Sequence, residues 1–399
     1  MESQYTTSER RIRHVSLSFH RYLYAKIDWD DRLIAIKGAR GTGKTTMMLQ
    51  RIKECYGVSR QAVYVSLDNL FFTTHSLAEF VEYHYMRGGR AIFIDEVHRY
   101  PKWQTAIKNI YDDYPDLKIV YSGSSMLQID RNQGDLSRRQ IVYELEGLSF
   151  REYLEYEGLA TVAPVALTDL LKNHSEISWE LTQSGLSVIP RFHDYLKKGY
   201  YPFYKEVKNG YGMRLEELSR QVIESDMPAV EDVRYSTIEK TKKMLMVLAD
   251  NAPQTPNIAE LCRQLDTTRD QGLKMLGALE RGGLIQTLMY EPRNFKVLAK
   301  PDKILMDNPN LMYALATVGD ADTGSVRESF FCSQLRVVGD IRLDRSGDFA
   351  VDNRFIFEVG GKNKTFDQIA NLPDSYLAND NAETASGNRV PLYLFGLLY

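Results

Sequence analysis

Cysteine is scarce in this 399-residue sequence. There are three, Cys55, Cys262 and Cys332, and they lie far apart. Their separation fits no metal-ligand spacing, which excludes a cysteine-based zinc module or a disulfide framework and points to reduced, buried thiols in a cytoplasmic protein. Net charge is scarce as well. With 50 basic and 53 acidic residues the balance is −3, so the chain does not coat nucleic acid by bulk charge; only a local basic face stays compatible with that balance. No run of about 18 apolar residues exists, so no membrane-spanning helix is expected. The opening residues, MESQYTTSERRIRH, lack the apolar centre of a signal peptide. Neither an internal repeat nor a low-complexity tract is present. What is there is 43% hydrophobic and 26% charged, the composition of a packed chain long enough for two or three domains.

The segment Arg32–Gly38, RLIAIKG, reads as a short buried strand. GARGTGKTT follows it, and TTMMLQRIKECYG continues as a helix ending at Gly57. Strand, glycine-rich loop and helix form the context that G-x-x-x-x-G-K-[ST] requires. Gly38, Gly41 and Gly43 let backbone N–H groups converge on phosphate oxygens without side-chain clash. Ala39, Arg40, Thr42 and Thr46 complete the candidate cradle. The helix beginning near Lys44 adds the positive end of its dipole. Lys44 is expected to reach β- and γ-phosphates, and Thr45 to place its hydroxyl on Mg²⁺.

A second motif, RAIFIDEVHRY, lies at Arg90–Tyr100. Its apolar run ends in Asp95 and Glu96, and such a strand delivers its carboxylates to the sheet edge where phosphates sit. Asp95 is the candidate Mg²⁺ ligand, directly or through water. Glu96 is placed to orient and deprotonate an attacking water. Ala62–Leu70 and Leu117–Ser125 read as further strands, and Gln140–Gly147 as a fifth. The intervening PKWQTAIKNIYDDY puts Trp103, Ile107, Ile110, Tyr111 and Tyr114 on one helical face. Ser122, Ser124 and Ser125 emerge at a strand end. One of them, Ser124 by preference, is a candidate γ-phosphate sensor, against the plainer reading of a small-residue turn. Arg138 and Arg139, just before the fifth strand, are candidates for a charge-stabilising arginine, acting within one chain or from a second copy in a homo-oligomer.

Taken together, IKGARGTGKTT, FIDEVHRYPKWQTAIKNIYDDYPDLKIVYSGSS and GDLSRRQIVYELEGLSFREYLEYEG resemble the prokaryotic AAA-type ATPases that carry a C-terminal domain of unassigned function. The resemblance covers essentially the whole chain and is strongest from Arg32 to Tyr156. It implies an α/β fold: an AAA-type P-loop ATPase core with a parallel sheet over 1–148, a helical lid over 149–235, a winged-helix segment over 236–315, and a degenerate restriction-endonuclease-like α/β domain over 316–399. ATP and Mg²⁺ are the implied ligands. The resemblance implies no substrate or client.

The remaining residues support parts of this plan by themselves. Leu148–Val207 has helical stretches rich in tyrosine, read as packing groups rather than base-stacking ones. STIEKTKKMLMVLAD places Ile238, Thr241, Leu245 and Leu248 on one face. NIAELCRQL starts with Asn257 as an N-cap and carries the stripe Ile258, Leu261, Cys262 and Leu265. RDQGLKMLGALERGG stops at Gly282-Gly283, and LIQTLMY and FKVLAK are expected to pair around EPRN, giving a winged helix. The last of these helices shows a mixed face of Arg269, Asp270, Lys274, Glu280 and Arg281, where a DNA reader is expected to show a cleaner basic stripe. Further on, Glu328 sits in a helix and DFAVDNRFIFEVGGKNK reads as two strands carrying Asp348 and Glu358. Nucleases of the restriction type use an Asp and a Glu-x-Lys to hold metal and position water. Here Gly360 stands where the lysine belongs. Lys362 is two residues further, on the same face of a strand, and is the candidate substitute; Asp352 is a rival to Asp348. Three functions follow: an ATP-hydrolysing switch coupled to the C-terminal half, an ATP-gated metal-dependent nuclease, or a nucleotide-regulated DNA-binding module. No membrane partner is expected.

Overall fold

The computed structural model describes residues 1–123, 136, 138–229, 233–251, 257–290, 300–316, 321–361 and 363–399. The chain forms two compact units. The first is Met1–Glu146 together with Glu224–Asp232, and the second is Gly147–Ile223 together with Val233–Tyr399.

In the first unit, β1 (Leu33–Lys37), β2 (Ala62–Ser66), β3 (Ala91–Asp95), β4 (Lys118–Gly123) and β5 (Ile141–Glu144) make one parallel sheet in the order β2-β3-β4-β1-β5. All five strands expected from sequence are present. The central strands are continuous apolar runs because helices cover both faces. The helices are α1 (Glu2–His14), α2 (Lys44–Cys55), the single turn α3 (Phe71–Thr74), α4 (Leu77–Met86) and α5 (Trp103–Asp113). Alternate strand residues divide between two cores. Ala35, Val65, Ile94 and Ile119 pack with Phe80 of α4 and Trp103, Ile107 and Ile110 of α5. Ile34, Ile36, Phe93 and Val120 pack with Met47, Met48 and Ile52 of α2.

Helix α1 was not expected. Its buried residues are Gln4, Tyr5, Ser8 and Ile12, too polar a stripe to register as amphipathic. It lies along β2, the sheet edge, where Ser8 Oγ accepts the Tyr64 N–H at 2.9 Å. A side chain thus occupies a ladder position on a strand that would otherwise be open to pairing.

Beside it, buried His84 carries a pH-dependent part of the stability. Nε2 lies 3.0 Å from Ala91 O, which only accepts, so Nε2 holds the proton and Nδ1 accepts from Tyr5 Oη at 2.8 Å. Burial pushes the His84 pKa down from 6.5 to about 4. The unfolded chain therefore binds the extra proton below pH 6.5, and this contribution is full above that pH and lost as pH falls toward 4. The expected loss at pH 5 is about 2 kcal/mol relative to pH 7.5. Denaturant titrations at the two pH values check it: His84→Gln, which keeps a donor and an acceptor but does not titrate, is expected to lose less stability than the native chain.

The second unit begins with helices α6 (Phe150–Tyr156), α7 (Leu167–Gln183), α8 (Val188–Lys198) and α9 (Tyr211–Gln221). The tyrosines here are packing groups, as expected: Tyr153, Tyr195, Tyr200 and Tyr201 are buried. Next come α10 (Tyr235–Asn251), α11 (Ile258–Gln264) and α12 (Arg269–Arg281), then the antiparallel pair β6 (Ile285–Leu288) and β7 (Lys303–Met306). Asn257 caps α11, its side chain accepting the Glu260 N–H at 3.2 Å. The strand paired with β6 is Lys303–Met306 and not the expected FKVLAK; residues 291–299, covering EPRN and most of FKVLAK, lie outside the described residues. Helices α13 (Pro309–Leu315) and α14 (Thr323–Leu335) lead into a mixed sheet of β8 (Ile341–Leu343), β9 (Phe349–Val351), β10 (Phe355–Gly360), β11 (Ser375–Asn379) and β12 (Arg389–Pro391) in the order β12-β11-β10-β9-β8. All three cysteines are free; Cys262 and Cys332 are buried, but Cys55, at the end of α2, is exposed. Among the described residues no helix is long and apolar enough to cross a membrane.

Candidate active site

The loop after β1 closes on itself. Gly38 has φ +152°, and a Cβ there would stand 2.2 Å from Leu145 O, so only glycine fits beside the end of β5. Gly43, with φ +101°, turns the chain into α2. Lys44 is only 6% exposed, and its Nζ donates to Gly38 O and Ala39 O at 2.8 Å each. Burial lowers the Lys44 pKa, while Glu96 and Asp95 oppose that fall. Thr42 Oγ1 donates to Ala39 O at 2.9 Å. Arg21, itself buried, donates through Nη1 to Thr42 O and through Nη2 to Glu146 O at 2.7 Å. This guanidinium ties the loop to the segment after β5. It belongs to no motif, and its distance along the chain hid it from sequence reading.

Asp95 ends β3, 3% exposed. Its Oδ2 accepts from Thr45 Oγ1 at 2.5 Å and from Tyr64 Oη at 2.8 Å. Its Oδ1 accepts from Ser122 Oγ and from the Glu96 N–H at 3.1 Å. Thr45 and Asp95 therefore meet as sequence expected, and this hard-oxygen pair fits Mg²⁺. Tyr64 was missed. It accepts from Arg11 Nη1 at 2.8 Å, which links α1 to the carboxylate. Burial and then the charge of Asp95 push its phenol pKa up. Ser122 is the described serine that reaches the site; Ser124 and Ser125 lie outside the described residues.

Glu96 sits in left-handed backbone, φ +55°, a conformation that costs a non-glycine residue about 1–3 kcal/mol and clusters at functional sites. Its Oε2 is 3.4 Å from His98 Nε2. Glu96, Arg40 and Arg99 line one cavity of about 580 Å³, with Asn69, Phe72 and Tyr100 on its other walls.

Arg138 and Arg139 are elsewhere. They precede β5, whose Ile141 is in register near the start of β1, beside Ile34, whereas the phosphate loop follows the end of β1 at Lys37. Arg138 is exposed, and Arg139 Nε pairs with Asp112 Oδ1 at 3.1 Å. They lie by the starts of the strands, at the end of the sheet away from the loop, so the structure brings neither to the phosphate loop of its own chain.

The C-terminal acids Glu328 and Glu358 each feel the charge of Asp348. Burial raises the Glu328 pKa despite Lys303, whose Nζ lies 2.8 Å from Oε2, and Asp348 raises it further. Glu358 is 1% exposed; burial, then Asp348, raise its pKa against the pull of Lys364. Asp348 Oδ2 accepts the Val359 N–H at 2.8 Å, whereas Asp352 caps a turn through the Asp340 N–H. Of the two, Asp348 is the acid whose charge acts on Glu328 and Glu358. Lys362 lies outside the described residues. Lys364, which sequence reading missed, places Nζ 2.6 Å from Glu358 Oε2. A Cβ at Gly360 would stand 2.4 Å from Lys364 Cβ, so the lysine stem fills the space that the glycine leaves. Among the described residues no group of three or more His, Cys, Asp or Glu side chains is placed to hold a metal ion.

A parallel sheet in this order, a glycine loop closed around a buried lysine, and a strand-end aspartate on the loop's threonine together define a P-loop domain of the AAA type. Residues 30–154, which carry every one of these features, match the family model described as an AAA domain. An uncharacterized protein of Methanocaldococcus jannaschii is 25% identical over 326 residues, covering 76% of this chain and 66% of that relative, just under two thirds of its length. Among solved structures, the Aeropyrum pernix Orc1 protein in complex with DNA is 14% identical, with 82% of this chain and 91% of that one covered at a TM-score of 0.30. AMPPCP-bound DnaA from Aquifex aeolicus is 16% identical, with 65% and 84% covered at a TM-score of 0.25. Neither overlap is close enough to carry a functional likeness.

Proposed function

We propose that this chain binds and hydrolyses ATP with Mg²⁺ and uses the cycle as a switch acting on its C-terminal half. The observation that carries the reading is the Thr45–Asp95 pair at 2.5 Å, set between the Lys44-centred loop and Glu96. Bound Mg²⁺ would neutralise phosphate charge there, held by Thr45 and Asp95. The chain's own groups do the rest. Tyr64 and Ser122 orient Asp95. Lys44 exchanges its loop carbonyls for β- and γ-phosphate oxygens. Glu96 orients water and takes its proton. An additional arginine from the Arg138–Arg139 corner would have to act on a second copy, so turnover per chain is expected to rise with protein concentration if that corner takes part. Phosphate release from Mg-ATP by the purified chain tests the reading, and a rate no higher than the buffer blank refutes it.

The nuclease alternative fits less well. Two ammonium groups, Lys303 and Lys364, stand on the carboxylates that would hold a metal, and among the described residues no three acids are placed to hold one ion. The cluster reads as a lysine-neutralised remnant that supports the sheet. Lys364→Ala strands the buried Glu358 charge and is expected to destabilise the chain by about 2–3 kcal/mol, less than for a fully buried pair because Lys364 is partly exposed. Adding Glu358→Gln should recover most of that loss in thermal melts. Incubation with ATP, Mg²⁺ or Mn²⁺ and single- or double-stranded DNA or RNA is expected to leave the nucleic acid intact. Products that vanish in Glu358→Ala would reinstate the nuclease.

A further inference from the structure

The chain leaves the first unit after Glu146 and returns to it over residues 224–232. A π turn, Val222–Asp226, carries the return; such turns gather at functional positions. Asp226 is 1% exposed, yet it is surrounded by donors. Arg40 Nη1 lies 3.3 Å from both of its oxygens, Arg99 Nη2 lies 2.7 Å from Oδ1, and His98 Nε2 lies 3.7 Å from Oδ1. Arg99 Nη1 also donates to Ser225 Oγ at 2.8 Å. Burial by itself would raise the Asp226 pKa, but His98 and the charges of Arg40 and Arg99 hold it below the ordinary carboxylate range. Asp226 is therefore an anion, buried among cations.

Two guanidiniums converging on one buried carboxylate is the chemistry of an anion site. Both guanidiniums also line the cavity that Glu96 lines. Arg40 belongs to the phosphate loop itself, between Gly38 and Gly41. The terminal phosphate of ATP has three oxygens and more charge than a carboxylate, so it competes for the same forks; the nucleotide diphosphate has nothing to place there. His98 Nε2 lies beside both acids, 3.4 Å from Glu96 Oε2 and 3.7 Å from Asp226 Oδ1, so Asp226 and the group assigned to the attacking water share a neighbour.

We propose that Arg40 and Arg99 read the terminal phosphate of the bound nucleotide, and that Asp226 holds their place as an internal anion until that phosphate arrives. The inference rests on the ATP reading above and deepens it. ATP draws the guanidiniums from Asp226 and loosens residues 224–229, whereas ADP leaves them docked. Because residues 224–232 are flanked in the chain by second-unit residues at both ends, the event is passed along the backbone. By linkage, the docked segment weakens ATP binding and leaves ADP binding unchanged.

Calorimetry on the full chain with Mg²⁺ and either β,γ-imido-ATP or ADP tests this. Asp226→Asn removes the competing charge and is expected to tighten the ATP analogue about tenfold with ADP affinity unchanged. Arg99→Gln is expected to lower the preference for the analogue over ADP by about tenfold. Equal weakening of both nucleotides by Asp226→Asn, or an unchanged preference in Arg99→Gln, overturns the proposal. Amide exchange on the native chain needs no variant: residues 224–229 should exchange faster with the analogue than with ADP, and equal rates overturn the proposal. If the native chain binds neither nucleotide, the ATP reading falls as well; if it binds both while exchange and preference stay level, only this inference falls.

Discussion

Lys44→Ala is expected to abolish nucleotide binding and, with it, turnover. The ammonium is buried inside the loop on two carbonyls, Gly38 O and Ala39 O, so alanine leaves the loop without its cation. Loss of one preorganised donor at a developing charge typically costs about 10²–10³ in rate, and here binding is lost too. The clean readout is thermal. At a ligand concentration about a thousand times Kd the native chain gains roughly 4 kcal/mol, and the variant should gain none. The variant's own stability should change far less. Removing Lys44 leaves two carbonyls short of a donor, about 1–3 kcal/mol if they stay dry, but it also removes an ammonium whose burial lowers its pKa. A Mg-ATP-induced rise in melting temperature that survives in Lys44→Ala would remove the assignment.

Glu96→Gln is expected to separate binding from chemistry. Glutamine keeps the shape of the side chain and a polar atom for His98, but it cannot take a proton. General-base removal costs about 10²–10⁴ in rate, so turnover should fall by that factor while the affinity for ATP stays within about twofold of native. The variant should accumulate bound ATP in a rapid-filtration assay. A rate within about threefold of native would transfer the role to another group. Because Glu96 holds left-handed backbone, Glu96→Gly would relieve strain and remove the carboxylate together; glutamine is the variant that isolates the chemistry.

Most of the phosphate site was legible because its parts are neighbours in the chain. The loop spans consecutive residues, and Asp95 follows directly on an apolar strand. Spacing carries the information there, and the structure brings Thr45 to Asp95 as spacing implies. Legibility stopped where geometry depended on register. Arg138 and Arg139 precede a strand of the right sheet, but parallel pairing of Ile141 beside Ile34 puts them at the wrong end. Lys362, chosen by a two-residue period, lies outside the described residues; Lys364, beyond the end of β10 at Gly360, makes an ion pair with Glu358 that no strand period points to.

The amino-acid order by itself determined the elements: five apolar strands, the glycines that a tight phosphate loop demands, the acid at a strand end, and the capped helices further on. Each depends on residues within a few positions of one another, where covalent geometry and side-chain period decide the outcome. Tertiary structure alone decided which distant groups complete the site. Arg21 on the loop, Tyr64 and Ser122 on Asp95, and Asp226 on Arg40 and Arg99 are joined across 21 to 186 residues of chain. Such pairs form because a buried charge must find partners wherever packing brings them, and no local pattern records which ones it will find.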